Sequence, residues 1–248
     1  VQVAVNAEYV RSRQSLIQRT LLIGFFFLTA SVVIVLLYQQ LIFVAWPLMI
    51  IGYIITSLTR QIQFDLGQNV RTDQRLATAL KSLSNRYWLG NWIPVGSVIV
   101  DGILVGPEGV LVIETRNHGG VTECNGNKWK RRKNILVRFF TGEPSLGNPS
   151  IDLQASLEAI TKDLQEAGFG DVPVSGAVVF TSPDAVLMLD DCKNTALTSA
   201  QLLRWANSRQ VPSVVISDAT RQKIIEHFSA KITPAKSPAQ QEQEVKAK

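Results

Sequence analysis

Cysteine and histidine are scarce in this chain, two of each in 248 residues. Cys124 and Cys192 share no motif spacing, and His118 and His227 do not complete a zinc set with them. For two such cysteines a reducing compartment is the simpler expectation, with a disulfide as the alternative. The glycines form neither a phosphate-cradling loop nor a nucleotide-binding fingerprint. Charge is missing altogether from residues 21–37 and 41–58, which only Tyr38, Gln39 and Gln40 separate.

A spanning helix needs about 20 mostly apolar residues, with a lower limit near 17. Both uncharged runs qualify once their polar flanks sit at the interface. A cleaved signal peptide has one shorter apolar core, and nothing after Leu37 resembles a cleavage site. The other reading is a buried helical hairpin in a soluble protein, but uncharged runs this long are uncommon in soluble cores. Arg11, Arg13 and Arg19 precede the hairpin and Arg60 and Arg71 follow it, while the linker has no basic residue. That asymmetry places both termini in the cytoplasm. Pro47 and Gly52 are tolerated in such a helix. With no ionisable residue at its centre, the hairpin reads as an anchor rather than a transporter.

The expected organisation is a cytoplasmic segment at 1–20, the transmembrane hairpin at 21–58 and a polar connector at 59–70. A soluble domain at 71–232 and a disordered tail at 233–248, poor in apolar residues, complete it. Within the domain, Leu76, Leu80 and Leu83 recur at helical spacing, and Gly90 and Pro94 break that helix. Residues 97–105 and 110–115 read as strands around a Gly106-Pro107-Glu108-Gly109 turn, and 128–139 as a further extended stretch. Asn148 and Pro149 start a helix with Leu153, Leu157, Ile160 and Leu164 on one face, ended by Gly168. Residues 174–180 read as a buried strand. Helices open at Thr198, with Gln201 completing a capping box, and at Asp218.

The turn at Gly106–Gly109 fixes a pairing in which Asp101 sits directly opposite Glu114. Opposed residues of an antiparallel pair have Cβ atoms about 4.5–5.5 Å apart on one face. Arg116, two positions on, projects from that face too. Facing carboxylates are destabilising unless compensated. A divalent cation would do this, since carboxylate oxygens suit Mg²⁺ and Mn²⁺; a salt bridge to Arg116 would do it equally.

The run D-G-I-L-V-G-P-E-G-V-L-V-I-E-T-R-N from Asp101 to Asn117, followed by Gly119 and Gly120, resembles the nuclease-related domain (NERD) family. That family looks like a branch of the restriction-endonuclease-like PD-(D/E)XK superfamily. Asp73 falls where the family usually has a glutamate, and Trp129 follows the glycine pair. Asn148-Pro149 with Gln154 resembles the family's Asn-Pro and glutamine motif, and Val178-Val179-Phe180 its next core strand. The resemblance covers roughly residues 70 to 181. It implies an α/β fold with a restriction-endonuclease-like core of helix, three strands, helix and strand, here preceded by the transmembrane hairpin. It also implies a phosphodiesterase site in which Asp101 and Glu114 hold Mg²⁺ or Mn²⁺, with the Thr115 carbonyl as a further ligand. The metal would activate a water, a motif lysine would position or deprotonate it, and Gln154 would support the site. This sequence departs from the pattern in three places. Arg116 stands where the lysine is expected, and arginine stabilises a phosphate but cannot act as a base. Asp73 is one methylene shorter than glutamate, and Gln154 lies farther from Asn148-Pro149 than usual.

Lys128, Lys130, Arg131, Arg132 and Lys133 surround Trp129. The cluster suits a DNA or RNA backbone with Trp129 stacked on a base. It equally suits an edge strand protected by lysines with Trp129 in the core, or contact with anionic lipid headgroups. His118, beside the motif, reads as an exposed loop histidine or as a proton carrier. Trp88 and Trp92 read as packing residues. Three functions remain open: a membrane-anchored, Mg²⁺-dependent nuclease, a silent binding module for nucleic acid or protein on the same fold, and a structural membrane factor. The oligomeric state is not legible.

Overall fold

The computed structural model of the protein describes residues 1–66, 71–132, 143–208 and 215–232. Lys133, the apolar Ile135-Leu136-Val137 part of the expected extended stretch and the tail from 233 lie outside the described residues. The described residues divide into two units: one holds Val1–Tyr9, Thr72–Arg132 and the described residues from Leu146 on, the other the described residues between Val10 and Arg71 with those at 143–145.

The second unit is the helical hairpin. Helix α1 spans Ala7–Leu37, a short 3-10 turn spans Gln39–Leu41, and α2 spans Ile42–Leu66. Both are long and apolar enough to cross a membrane, with mean hydropathies of 2.7 and 2.2 over their most apolar 18 residues. Only 11% of either apolar window is buried, unlike the core helices of a soluble protein. Phe26, Leu36 and Phe43 are exposed at 66%, 73% and 85%, surface that water would not tolerate but lipid would. Glycines let the helices approach closely. A Cβ on Gly24 would lie 2.7 Å from Thr56 Cγ2, and one on Gly52 2.9 Å from Leu28 Cγ.

The first unit is an α/β domain. Its elements are β1 (Gln2–Val5), α3 (Thr72–Ala79), β2 (Trp88–Val95), β3 (Val98–Gly106), β4 (Gly109–Arg116), β5 (Gly120–Gly126), β6 (Lys128–Arg131), α4 (Pro149–Glu166), β7 (Val174–Phe180), β8 (Ala185–Cys192), β9 (Thr195–Thr198), α5 (Ser199–Ser208) and α6 (Asp218–Ala230). A six-stranded sheet runs β1-β2-β3-β4-β7-β9, and a three-stranded sheet runs β6-β5-β8. The turn residues place Gly106 opposite Gly109 and Gly102 opposite Ile113, the register expected from the sequence. Gly109 takes φ 110°, which a side chain would not tolerate. Beyond β4 the main sheet continues in parallel, with Glu114 beside Val178 and Val178 beside Ala196.

Apolar side chains cover both faces of the large sheet. One layer joins Val105, Val112, Val178 and Phe180 to Leu153, Ile160 and Leu164 of α4 and to Ile224 and Phe228 of α6. The other joins Leu104, Leu111, Ile113 and Val179 to Leu76 of α3 and Leu202 of α5. Asn148 caps α4 by accepting from the Ser150 amide, and Gln201 Oε1 accepts from the Thr198 amide at 2.9 Å. This is a restriction-endonuclease-like α/β core: α3, then β2, β3 and β4, then α4 and β7.

Three placements differ from the sequence reading. The third core strand is β2, not the stretch at 128–139, whose described part forms β6 in the small sheet. The segment before the hairpin contributes β1, parallel to β2, with Gln2 opposite Trp88. Asn6 continues this attachment, its amide nitrogen Nδ2 donating to the Trp92 carbonyl at 3.1 Å and its Oδ1 accepting from the Tyr9 amide. Finally, Cys124 and Cys192 are paired in a disulfide, with Cα atoms 5.5 Å apart, which corrects the expectation of reduced cysteines. Neighbouring parallel strands β5 and β8 bring the two residues together.

Candidate active site

The pairing of β3 with β4 and the packing of α4 across them assemble the acidic group. Asp101 lies one residue before the Gly102–Ile113 pair, and Glu114 one residue after it. Asp101 Oδ2 accepts from the Thr115 amide at 2.8 Å and from the Thr115 hydroxyl at 2.6 Å. Arg116 Nη1 donates to Glu114 Oε1 at 2.6 Å and to the Thr115 carbonyl at 2.8 Å. The other guanidinium nitrogen, Nη2, pairs with Asp152 of α4. Ser156, one helical turn on, reaches Glu114 Oε2 at 3.5 Å. The side chains of Glu114 and Arg116 are 10% and 13% exposed, Asp101 is partly buried, and Asp152, at 50%, opens furthest to solvent.

Burial dominates the acidities. It raises the Glu114 carboxyl, with repulsion from Asp101 adding to it, to about 8 despite the pull of Arg116. Asp101 is raised as well, by burial first, with the Thr115 hydrogen bonds pulling the other way. For Arg116 burial acts to lower the value, but Glu114 and then the other carboxylates outweigh it, so the guanidinium stays charged.

The residues singled out from the sequence divide. Asp101, Glu114, Thr115 and Arg116 come together. Gln154 does not join them: its Nε2 donates to Glu158 on the exposed face of α4 at 2.8 Å. The helix presents Asp152 and Ser156 to the group instead, two residues that the sequence reading did not single out. Their i, i+4 spacing alongside Leu153 and Ile160 was the available signal. Asp73 is buried at 3% in the first turn of α3, whose Leu76 packs on the opposite face of the sheet from α4. Its neighbour Arg75 ties α3 to the ends of β4 and β7, donating to Asn117 Oδ1 and to the Thr181 carbonyl, each at 2.9 Å.

Two arginines of the basic cluster are engaged within the domain. Arg131 donates through Nε to the Gly119 carbonyl at 2.8 Å, and Arg132 pairs with Glu123. Lys128 and Lys130 are exposed on the edge strand β6. Trp129 is turned inward, 5.8 Å from the Phe180 ring, with its indole nitrogen donating to Ser150 Oγ at 2.8 Å. This packing favours the core reading of Trp129 over the stacking one. His118 is buried at 3%, which corrects its reading as an exposed loop residue.

Among the described residues, no group of three or more His, Cys, Asp or Glu side chains could hold a metal. The oxygens of Asp101, Glu114 and Thr115 nevertheless form a hard donor set, and a positive charge, that of Arg116, already lies on two of them. These are oxygens of the chemical type that Mg²⁺ and Mn²⁺ take.

Comparison with known proteins agrees with this geometry. Residues 68–181 match the nuclease-related domain family, NERD. No curated protein matches the chain, and no solved structure does. The chain thus carries a nuclease-related domain, and the matched segment runs from just before α3 to the end of β7.

Proposed function

On the premise of a nuclease-related domain at residues 68–181, we propose that this protein hydrolyses phosphodiester bonds of nucleic acid, DNA or RNA, at a membrane surface. One observation carries the reading: Asp101 and Glu114 are brought together beside a cationic group seated on the oxygens of Glu114 and Thr115. Asp101, Glu114 and the Thr115 carbonyl would hold Mg²⁺ or Mn²⁺, which supplies Lewis-acid activation of a water and charge neutralisation at the phosphate. Thr115 fixes the Asp101 carboxylate through two hydrogen bonds. Arg116, permanently charged, stabilises negative charge on a phosphate oxygen and leaves proton removal to another group. Ser156 orients the second oxygen of Glu114.

A second reading is favoured by the same arginine. A site that lacks the motif lysine, with its guanidinium engaged by Glu114, Thr115 and Asp152, suits a silent module that binds nucleic acid or protein. The full chain in lipid nanodiscs, given labelled DNA and RNA with Mg²⁺, Mn²⁺ or EDTA, separates the two. Metal-dependent cleavage lost in Glu114→Ala supports hydrolysis. Binding that ignores the metal and never leads to cleavage supports the module. Neither activity would point to a structural membrane role.

The arginines flanking the hairpin support a cytoplasmic domain. The Cys124–Cys192 disulfide favours an oxidising side. We place the domain in the cytoplasm on the weight of the flanking arginines; Cys124, 1% exposed, protects one sulfur of the link, while the partly buried Cys192 leaves the other open to thiols.

A further inference from the structure

Arg116 does more than neutralise charge. Its Nη1 donates to both Glu114 Oε1 and the Thr115 carbonyl, at 2.6 and 2.8 Å. Those are two of the three groups that a divalent ion would need. The third, Asp101, is engaged by the Thr115 amide and hydroxyl. Asp152 holds the outer end of the same guanidinium. A planar fork anchored at both ends in a site only 13% exposed is a well-ordered occupant, not a passing contact.

Resting on the metal-dependent reading above, we propose that Arg116 is a resident cation that competes with the divalent ion for this site. Two positive charges cannot share the Glu114 carboxylate and the Thr115 carbonyl at close range, so the ion enters only as the guanidinium leaves. The half-exposed side toward Asp152 is the way out. A phosphodiester oxygen is a suitable acceptor for the freed fork. A lysine at this position would reach with a single ammonium group on a flexible stem, and would yield the oxygens more readily.

The test measures Mn²⁺ binding directly, by loss of the free-ion paramagnetic resonance signal, with the full chain in nanodiscs and Mn²⁺ as the only probe. Wild type is expected to bind weakly. Arg116→Ala should bind roughly tenfold tighter or more, equivalent to about 1.4 kcal/mol. Arg116→Lys, which keeps the charge and most of the packing, should fall between them. Methylguanidinium at millimolar concentration should weaken binding to Arg116→Ala and leave wild type unchanged. Asp101→Asn added to Arg116→Ala should abolish the gain. Equal affinity in wild type and Arg116→Lys overturns the proposal, and this arm survives even if the alanine variant fails to fold. Tighter Mn²⁺ binding with no cleavage by any variant would sink the nuclease reading and leave this one standing. Cleavage by wild type, at a Mn²⁺ affinity that Arg116 does not alter, would do the reverse.

Discussion

Glu114 joins burial, charge and pH in one side chain. Its folded-state value, about 8, lies above the ordinary 4.5, so the folded protein keeps a proton that the unfolded chain releases. The stability this provides is complete below about pH 4.5 and is lost as pH rises through about 8. Urea unfolding in EDTA should therefore show a midpoint that falls across that range, and Glu114→Gln should flatten the slope. Asp101, raised in the same direction, adds to the trend. Gln154 provides the contrast. Among the described residues its side-chain hydrogen bond runs to Glu158 on the solvent face, so Gln154→Ala should change stability by less than about 0.5 kcal/mol. The sequence motif brought Gln154 to notice, but helix geometry decides which neighbours reach the sheet. Asp152 and Ser156 share the face of Leu153 and Ile160, and that face meets Glu114. The carboxylate pair itself was legible because a tight turn leaves little freedom in the pairing that follows it. The pairing of Arg116 with Glu114 was legible too, from their shared face, but its contact with Asp152 was not, since that depends on where α4 packs.

Elements with strong local punctuation were readable, and those whose glycines serve packing were not. In β2 the residues Gly90 and Pro94 read as breakers, yet Gly90 makes room rather than a turn: a Cβ there would lie 2.4 Å from the Trp88 ring. Strand β5 has little apolar signal of its own and is defined by its neighbours β6 and β8. At this scale the small sheet gives two predictions. The Cys124–Cys192 link closes a separation of 68 residues, so chain entropy alone puts its contribution at about 4 kcal/mol. Reduction, or Cys192→Ser, should lower the thermal midpoint, and calorimetry of the full chain would register it. Trp129→Ala should cost about 3 kcal/mol, because the ring packs on Phe180 and bonds Ser150. Lys128→Ala and Lys130→Ala, on the exposed side of the same strand, should stay within about 0.5 kcal/mol of wild type. Equal effects across β6 would contradict the inward placement of the indole.

For the whole molecule the sequence marked out the two long apolar helices, because the absence of charge over two long runs is a signal that survives any packing. What it did not reveal is that the domain takes back the residues in front of the anchor. A four-residue strand such as β1 has too little pattern to be recognised alone, and its partner lies beyond both helices. Val1–Tyr9 and the chain from Thr72 belong to one compact unit, so if both apolar helices cross a bilayer, the two outer ends of the hairpin would emerge on the same side. Tags placed at both termini should show the same protease protection in sealed vesicles; opposite protection would disprove the pairing. Deleting Gln2–Val5 should cost a few kcal/mol of domain stability, read as a lower urea midpoint with the helices intact.

Strand β1 also imposes a schedule on synthesis. It leaves the ribosome long before Trp88, its partner, is made. At ~5–20 residues per second the wait is on the order of four to twenty seconds. Both helices are made within that interval. A chain that inserts only one of them would hold β1 and β2 on opposite sides of the membrane, leaving the edge of β2 bare. In a chain whose helices both cross, pairing of this strand with β2 would follow only once the hairpin is complete.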